Sequence, residues 1–175
     1  SGTEKDRHGT TELRLLIRPF LLRRMKTDKA VIADLPEKME SRVYCTLTHE
    51  QATLYQAVVE DMAQSLETVT GLARRGVIFR SITRLKQICN HPAAYQGDDR
   101  PLDARSGKLA RLEEIVESVF AADEKVLVFT HFAEWGQRLA RHLTARTGQR
   151  VECYHGGLAR GARDRMIETF QAQSG

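Results

Sequence analysis

Residues 84–92 read RLKQICNHP, which sets Cys89, Asn90, His91 and Pro92 in succession. A thiol beside an imidazole suggests two chemistries. One is a zinc site, which needs several thiolate, imidazole or carboxylate ligands around one point. The other is a thiol nucleophile, which needs a base or an electropositive setting. Spacing argues against both. On a helix Cys89 and His91 diverge, and no second pair stands at ligand spacing. Nothing near Cys89 suggests an activating base. What remains is the end of a helix, with Cys89 packed inward and Pro92 as the stop. These residues therefore predict neither a metal site nor an active cysteine.

Anion-binding chemistry is the second possibility. Ser106-Gly107-Lys108 opens a predicted helix, and a helix N-terminus favours negative charge. It is not a nucleotide-binding phosphate loop. Leu102 stands where the first glycine of GxxxxGK[ST] belongs, and Leu109 follows the lysine. Ser106 is first of all a helix cap. Thr130 and His131 follow the apolar run Val126–Phe129, at the carboxyl end of a predicted strand, where open parallel sheets gather ligands. They fit a phosphate contact or ordinary loop polarity. HGGLARGARDR (155–165) pairs a glycine turn with Arg160, Arg163 and Arg165. Its spacing is not GxGxxG, so it reads as a strand-end turn with arginines facing solvent or phosphate. Between Thr68 and Gly97 there is no acidic residue, but Arg74, Arg75, Arg80, Arg84 and Lys86 are present. Such a block is either a solvated helix face or a surface for phosphate.

The elements that must position these groups are mostly helical. SRVYCTL (41–47) alternates, with Val43, Cys45 and Leu47 on one side, and predicts a half-buried strand. Thr48 and Gln51 fit a capping box. The helix after them carries Tyr55, Val58, Val59, Met62 and Leu66 at helical spacing and should end near Gly71. A second helix covers about 73–89. Val77, Ile78, Ile82, Leu85, Ile88 and Cys89 share one arc, and Arg75, Arg80, Arg84 and Lys86 form a basic face opposite. Together they predict an antiparallel hairpin. Residues 93–105 read as loop, 107–121 as helix, 126–129 as a central strand, 133–146 as helix, 151–155 as strand, and 161–171 as helix burying Met166, Ile167 and Phe170. From residue 106 the alternation predicts an α/β layer with a parallel sheet. A segment N-terminal to these, ELRLLIRPFLLRRM (12–25), predicts two short helical pieces broken at Pro19, and 33–40 a polar connector.

Composition sets the outer limits. The chain has 175 residues, net charge +4, 41% hydrophobic and 29% charged residues, as a soluble globular domain would. Its apolar runs are too short to cross a membrane, and the polar N-terminus is no signal peptide. Three scattered cysteines suggest a reduced, intracellular setting.

The order of the short blocks carries more than any one of them. PFLLRRMKTD (19–28), LPEKME (35–40), RLKQICNHP, SGKL, KVLVFTHF and HGG with Arg163 and Phe170 follow one another along nearly the whole chain. This order resembles the Swi/Snf family of helicase-like, DNA-dependent ATPases of helicase superfamily two. The resemblance implies an incomplete RecA-like parallel sheet with flanking helices, plus an inserted helical hairpin, helix-rich overall. Residues 1–40 would be the inter-lobe connection, 41–47 the first strand of the second lobe, and 48–92 a helical protrusion. Residues 93–105 would be a loop and 106–175 the front half of that lobe. Lys108, Thr130, His131, Arg160 and Arg163 become candidates for the DNA backbone, and Arg75, Arg80, Arg84 and Lys86 a basic helix face. The blocks that hold ATP and magnesium in such enzymes, including the Walker lysine, are not in this sequence. The parent would use ATP and Mg, and this piece alone would bind no nucleotide tightly and be inactive. Implied partners are double-stranded DNA and the first RecA-like lobe, with self-association through an exposed sheet edge and no membrane. The setting would be nucleoid, cytoplasm or nucleus according to organism. The alternative reading is a non-enzymatic helical adaptor that binds protein or nucleic acid through its basic hairpin.

Overall fold

The structure, a computed structural model, describes residues 38–172 together with Leu16 and Phe20. The chain divides into two units, Ser1–Val43 and Tyr44–Gly175. In the first, the described residues Leu16, Phe20 and Met39 are exposed, and Lys38 pairs with Glu40. The short helices expected over 12–25 and the connector start at 33 lie outside the described residues.

The second unit is built from helices α1 (His49–Thr68), α2 (Gly71–Asn90), α3 (Pro92–Gln96), α4 (Gly107–Ala121), α5 (Ala133–Thr147) and α6 (Arg160–Ala172). Helix α1 starts as its capping box dictates. The Thr48 hydroxyl accepts from the Gln51 N–H, and the Gln51 amide oxygen accepts from the Thr48 N–H at 3.1 Å. Gln51 then reaches across the hairpin, where its Nε2 donates to the Ile88 carbonyl at 2.7 Å.

Helix α2 packs antiparallel on α1, but its buried arc is turned relative to the expected one. Ser81 and Ile88 are buried, whereas Ile82 is 42% exposed. Arg84 was expected on the basic face. It is instead half-buried and pairs with Asp61 of α1 at 3.1 Å. The rotation has a physical cause. Ser81 stands in the buried arc, and the Arg84 guanidinium finds a carboxylate within the hairpin.

A five-residue helix, α3, stands where a loop was expected. Pro92 fits its first position, where no N–H is needed, and Gly97 closes it at φ 66°. Gly148 ends α5 in the same way at φ 71°.

The core of this unit joins Ala93, Leu102, Leu109, Val116, Trp135, Leu139 and Leu143, with Val126, Phe132 and Val151 packed against it. Three expected strands are not found among the described residues. Residues 41–47, 125–130 and 150–155 carry no regular secondary structure. A strand exists through ladder hydrogen bonds to a neighbour, and these segments exchange none with each other. Side chains position them instead. The Val151 N–H donates to Thr144 Oγ1 at 3.0 Å, and Gly136 of α5 lies closely against Thr130 and Cys153. Val43, Cys45 and Leu47 are exposed or at the edge of exposure rather than inward, and Leu127 (65%), Val128 and Phe129 (90%) are open to solvent. Helix α6 corrects a further expectation. It contains no buried residue, and both Ile167 and Phe170 are exposed.

Candidate nucleic-acid interface

The RLKQICNHP segment becomes a junction. The last carbonyls of a helix have no partner within it, and here the Ile88 carbonyl accepts from Gln51 and the Asn90 carbonyl from Ser106 Oγ at 2.7 Å. The same Ser106 oxygen caps α4 by accepting from the Leu109 N–H. His91 is fully buried. Its Nδ1 accepts from the Ala93 N–H at 3.0 Å, so Nε2 carries the proton and donates to the Leu102 carbonyl at 2.9 Å. Burial pushes its pKa below the ordinary value and keeps the ring neutral. The ring stacks on Trp135 with centroids 5.1 Å apart. Cys89 is half-buried beside it.

An ionic girdle closes the same junction. Arg105 donates to Glu50 at 2.8 Å and to Asp98 at 2.9 Å, and Arg100 meets both carboxylates. These hydrogen bonds hold Glu50 and Asp98 below the usual carboxylate range. Arg138 of α5 donates to the carbonyls of Asp98 and Arg100.

Beside the junction lies a cleft lined by Tyr55, Ile82, Leu85, Lys86, Cys89, Asn90, Lys108, His131 and Phe132. Two contacts lie at its α4 side. Gly107 sits so close to Thr46 that an added Cβ would lie 2.2 Å from the Thr46 carbonyl oxygen. Lys108 Nζ donates to Asn90 Oδ1 at 3.1 Å. Lys86, Lys108 and His131 therefore share one opening over an apolar floor. A polyanion would find there two ammonium groups and an imidazole. Thr130 is adjacent and exposed, with its hydroxyl accepting from the Phe132 N–H at 3.4 Å.

The other candidates lie elsewhere. Arg160 is exposed and 3.9 Å from Asp164. Arg163 is half-buried, and its Nε is shielded from water without a partner among the described residues. Neither lines the cleft. Arg75 and Arg80 stay on the exposed face of α2.

One further grouping was not legible in the sequence. Asp103, Glu113 and His142 bring one donor atom each within 4.8 Å of one another. His142 Nε2 donates to Glu113 at 2.6 Å, and the Arg146 guanidinium lies 3.7 Å from Glu113 and 3.8 Å from Asp103. A cationic side chain thus already balances the carboxylates, and the grouping braces α4 against α5.

A family model described as SNF2-related domain matches residues 2–94. The chain belongs to the SNF2 family. YwqA of Bacillus subtilis, which is named for an ATP-dependent helicase/translocase activity, is 38% identical over 170 residues, 96% of this chain and 18% of that protein. The human DNA excision repair protein ERCC-6 is 33% identical over 133 residues, covering 67% of this chain and 9% of its own length. The chain thus spans less than a fifth of each of these relatives. Among solved structures, the Sulfolobus solfataricus SWI2/SNF2 ATPase core in complex with dsDNA matches with a TM-score of 0.75 and 40% identity over 94% of this chain and 35% of that one. The C-terminal domain of that ATPase matches with the same TM-score and 36% identity over 79% of this chain and 60% of its own. The aligned parts of these two structures share the fold of this chain.

Proposed function

We propose that this chain is the second-lobe portion of an ATP-dependent, double-stranded DNA translocase of the SNF2 family. In this reading residues 1–40 are the inter-lobe connection, 48–92 a helical protrusion, and 106–175 the front of a RecA-like lobe. The likeness to an isolated C-terminal domain of such an ATPase supports the lobe assignment. The observation that carries the DNA reading is the convergence of Lys86, Lys108 and His131 on one cleft. Cationic groups over a shallow opening suit a phosphate backbone, whose recognition depends on charge and little on sequence. Thr130 adds a hydroxyl at its rim, and Arg160 and Arg163 a second, separate basic site.

This chain's residues do not fit the triphosphate of ATP. Its Gly-Lys pair lacks the earlier glycine of a phosphate loop, and Leu109 follows the lysine. ATP and magnesium belong to the rest of the protein in this reading, and the chain alone is inactive. Leu127, Val128 and Phe129 would receive the neighbouring strands of the lobe. The same exposed segment is also the proposed route of self-association, which light scattering across a concentration series tests.

The decisive experiment measures ATP hydrolysis by the longer protein with and without duplex DNA. Lys108→Glu combined with His131→Ala should lower the DNA-stimulated rate about tenfold and reduce the salt dependence of DNA binding by roughly one charge. The DNA-free rate should hold. An unmodified protein that ignores duplex DNA sinks the reading, and so does a double variant with an unaltered salt slope.

A further inference from the structure

Helix α2 turns one face away from everything described in its unit. Leu72 (83%) and Phe79 (69%) lie at the centre of that face, and Ile82 at its edge is 42% exposed. Arg75 and Arg80 flank it on opposite sides, at helical positions about 50° and about 90° from its centre. No acidic residue falls between Thr68 and Gly97, so nothing along the helix itself balances these charges. Gly76 lies on the same face in the helix interior. A glycine there weakens the helix relative to alanine, and a Cβ at this position would meet nothing within 4 Å. Packing inside the chain gives no reason for it. Close approach from outside does.

We infer that this face docks an acidic amphipathic helix of a partner protein. Apolar side chains at i, i+3 or i+4, and i+7 would cover Leu72 and Phe79 and cross near Gly76. Glutamates or aspartates beside them would meet Arg75 and Arg80. Large exposed apolar groups ringed by arginine are what interface centres are made of. A phosphate backbone is a poorer occupant, since it would bury Leu72 and Phe79 against charge without satisfying either. Ile82 also lines the cleft of Lys108 and His131, but Leu72, Arg75, Phe79 and Arg80 do not, and the inference does not depend on the DNA reading.

The test uses the 175-residue chain and a labelled synthetic helix with leucine at the stated spacing and glutamate between. Binding is read by fluorescence anisotropy, against a scrambled peptide of the same composition and against a short duplex DNA. The amphipathic peptide should bind at least about tenfold more tightly than the scrambled one. Phe79→Asp, and Arg75→Glu with Arg80→Glu, should each weaken it about tenfold at unchanged helix content by circular dichroism. Gly76→Leu is the sharpest variant. It should raise the thermal midpoint yet weaken peptide binding, two effects that a merely structural glycine would not combine. Equal binding of the scrambled peptide overturns the inference. So does a Gly76→Leu protein that binds as before, or charge reversals that reduce affinity for DNA and leave the peptide untouched.

Discussion

Helices α4 and α6 carry the same kind of amphipathic pattern and meet different fates. In α4, Leu109 and Val116 are almost wholly buried against α5 and the loop that carries Leu102. In α6, Met166 is half-buried, and Ile167 and Phe170 remain exposed. Both helices also engage charge. Glu113 and Glu117 of α4 share Arg146, whereas α6 is held at its end by Lys125, whose ammonium donates to the Phe170 carbonyl at 2.8 Å. Periodicity reports which face is apolar. It does not report what, if anything, covers that face. The half of the unit around His91 and Trp135 has its cover, and the half around residues 125–130 and 151–172 is held mainly by its edges.

Truncations should separate the two halves most strongly. Trp135→Ala removes an aromatic that is 7% exposed and stacked on His91. It should cost about 3–5 kcal/mol of stability in urea unfolding. Phe170→Ala, at 37% exposure, should cost less than about 1 kcal/mol. Equal losses would show that the two halves are equally well covered.

Gly107→Ala sharpens the comparison at the junction. Its methyl group would meet the Thr46 carbonyl oxygen, a backbone atom that cannot swing aside. The wall formed by Lys108 must then shift. A loss of about 1–3 kcal/mol is expected, together with weaker DNA binding. Gly156→Ala, where a Cβ meets nothing within 4 Å, is the matched control and should change stability little.

Acid should weaken the junction in two stages. His91 has an ordinary value of 6.5, and burial holds the folded ring below it. The unfolded chain therefore takes up this proton first, and stability falls as pH drops from 6.5 toward the depressed folded value. Glu50 and Asp98, depressed by Arg105, act with the same sign lower down. Their contribution is complete above the ordinary carboxylate range and is lost as pH falls through the depressed folded values. His91→Gln should flatten only the first stage of the urea midpoint against pH, and Arg105→Gln only the second. A midpoint that stays level from pH 7 to 5 would remove His91 from the argument.

What was legible in the sequence was local. Thr48 with Gln51, Ser106 before α4 and Gly148 after α5 mark helix ends through contacts a few residues long, and each is found where its spacing put it. The family order of short blocks was legible for the same reason. What failed depended on partners distant in the chain. Arg84 was placed on the open basic face because Asp61, 23 residues earlier, was invisible to a helical wheel. The strands were drawn from alternation and apolar runs, but a ladder needs a neighbour. The cleft is lined from α1, α2, α4 and the loop before α5, which no spacing rule brings together. Helix α3 was missed although its Pro92 and Gly97 were in plain view, since Asn90-His91-Pro92 was read only as a stop.

Backbone strain offers the finest version of the comparison. Ala104 adopts φ 58° in the loop beside the ionic girdle, and Asp123 adopts φ 57° after α4. An alanine in the left-handed region brings its Cβ against the following carbonyl and has no polar side chain to compensate. Aspartate tolerates the region better, through local hydrogen bonding. Ala104 precedes Arg105 of the girdle, and the expectation is that the girdle of Glu50, Asp98, Arg100 and Arg105 imposes this conformation. Ala104→Gly should therefore raise stability, by about 0.5 kcal/mol after the extra freedom of glycine in the unfolded chain is counted. Asp123→Gly should gain less. If Arg105→Gln is introduced first, the girdle loosens, the loop can relax, and the gain from Ala104→Gly should shrink. An undiminished gain in that double-variant cycle would show that the strain is set within the loop itself rather than imposed by the junction.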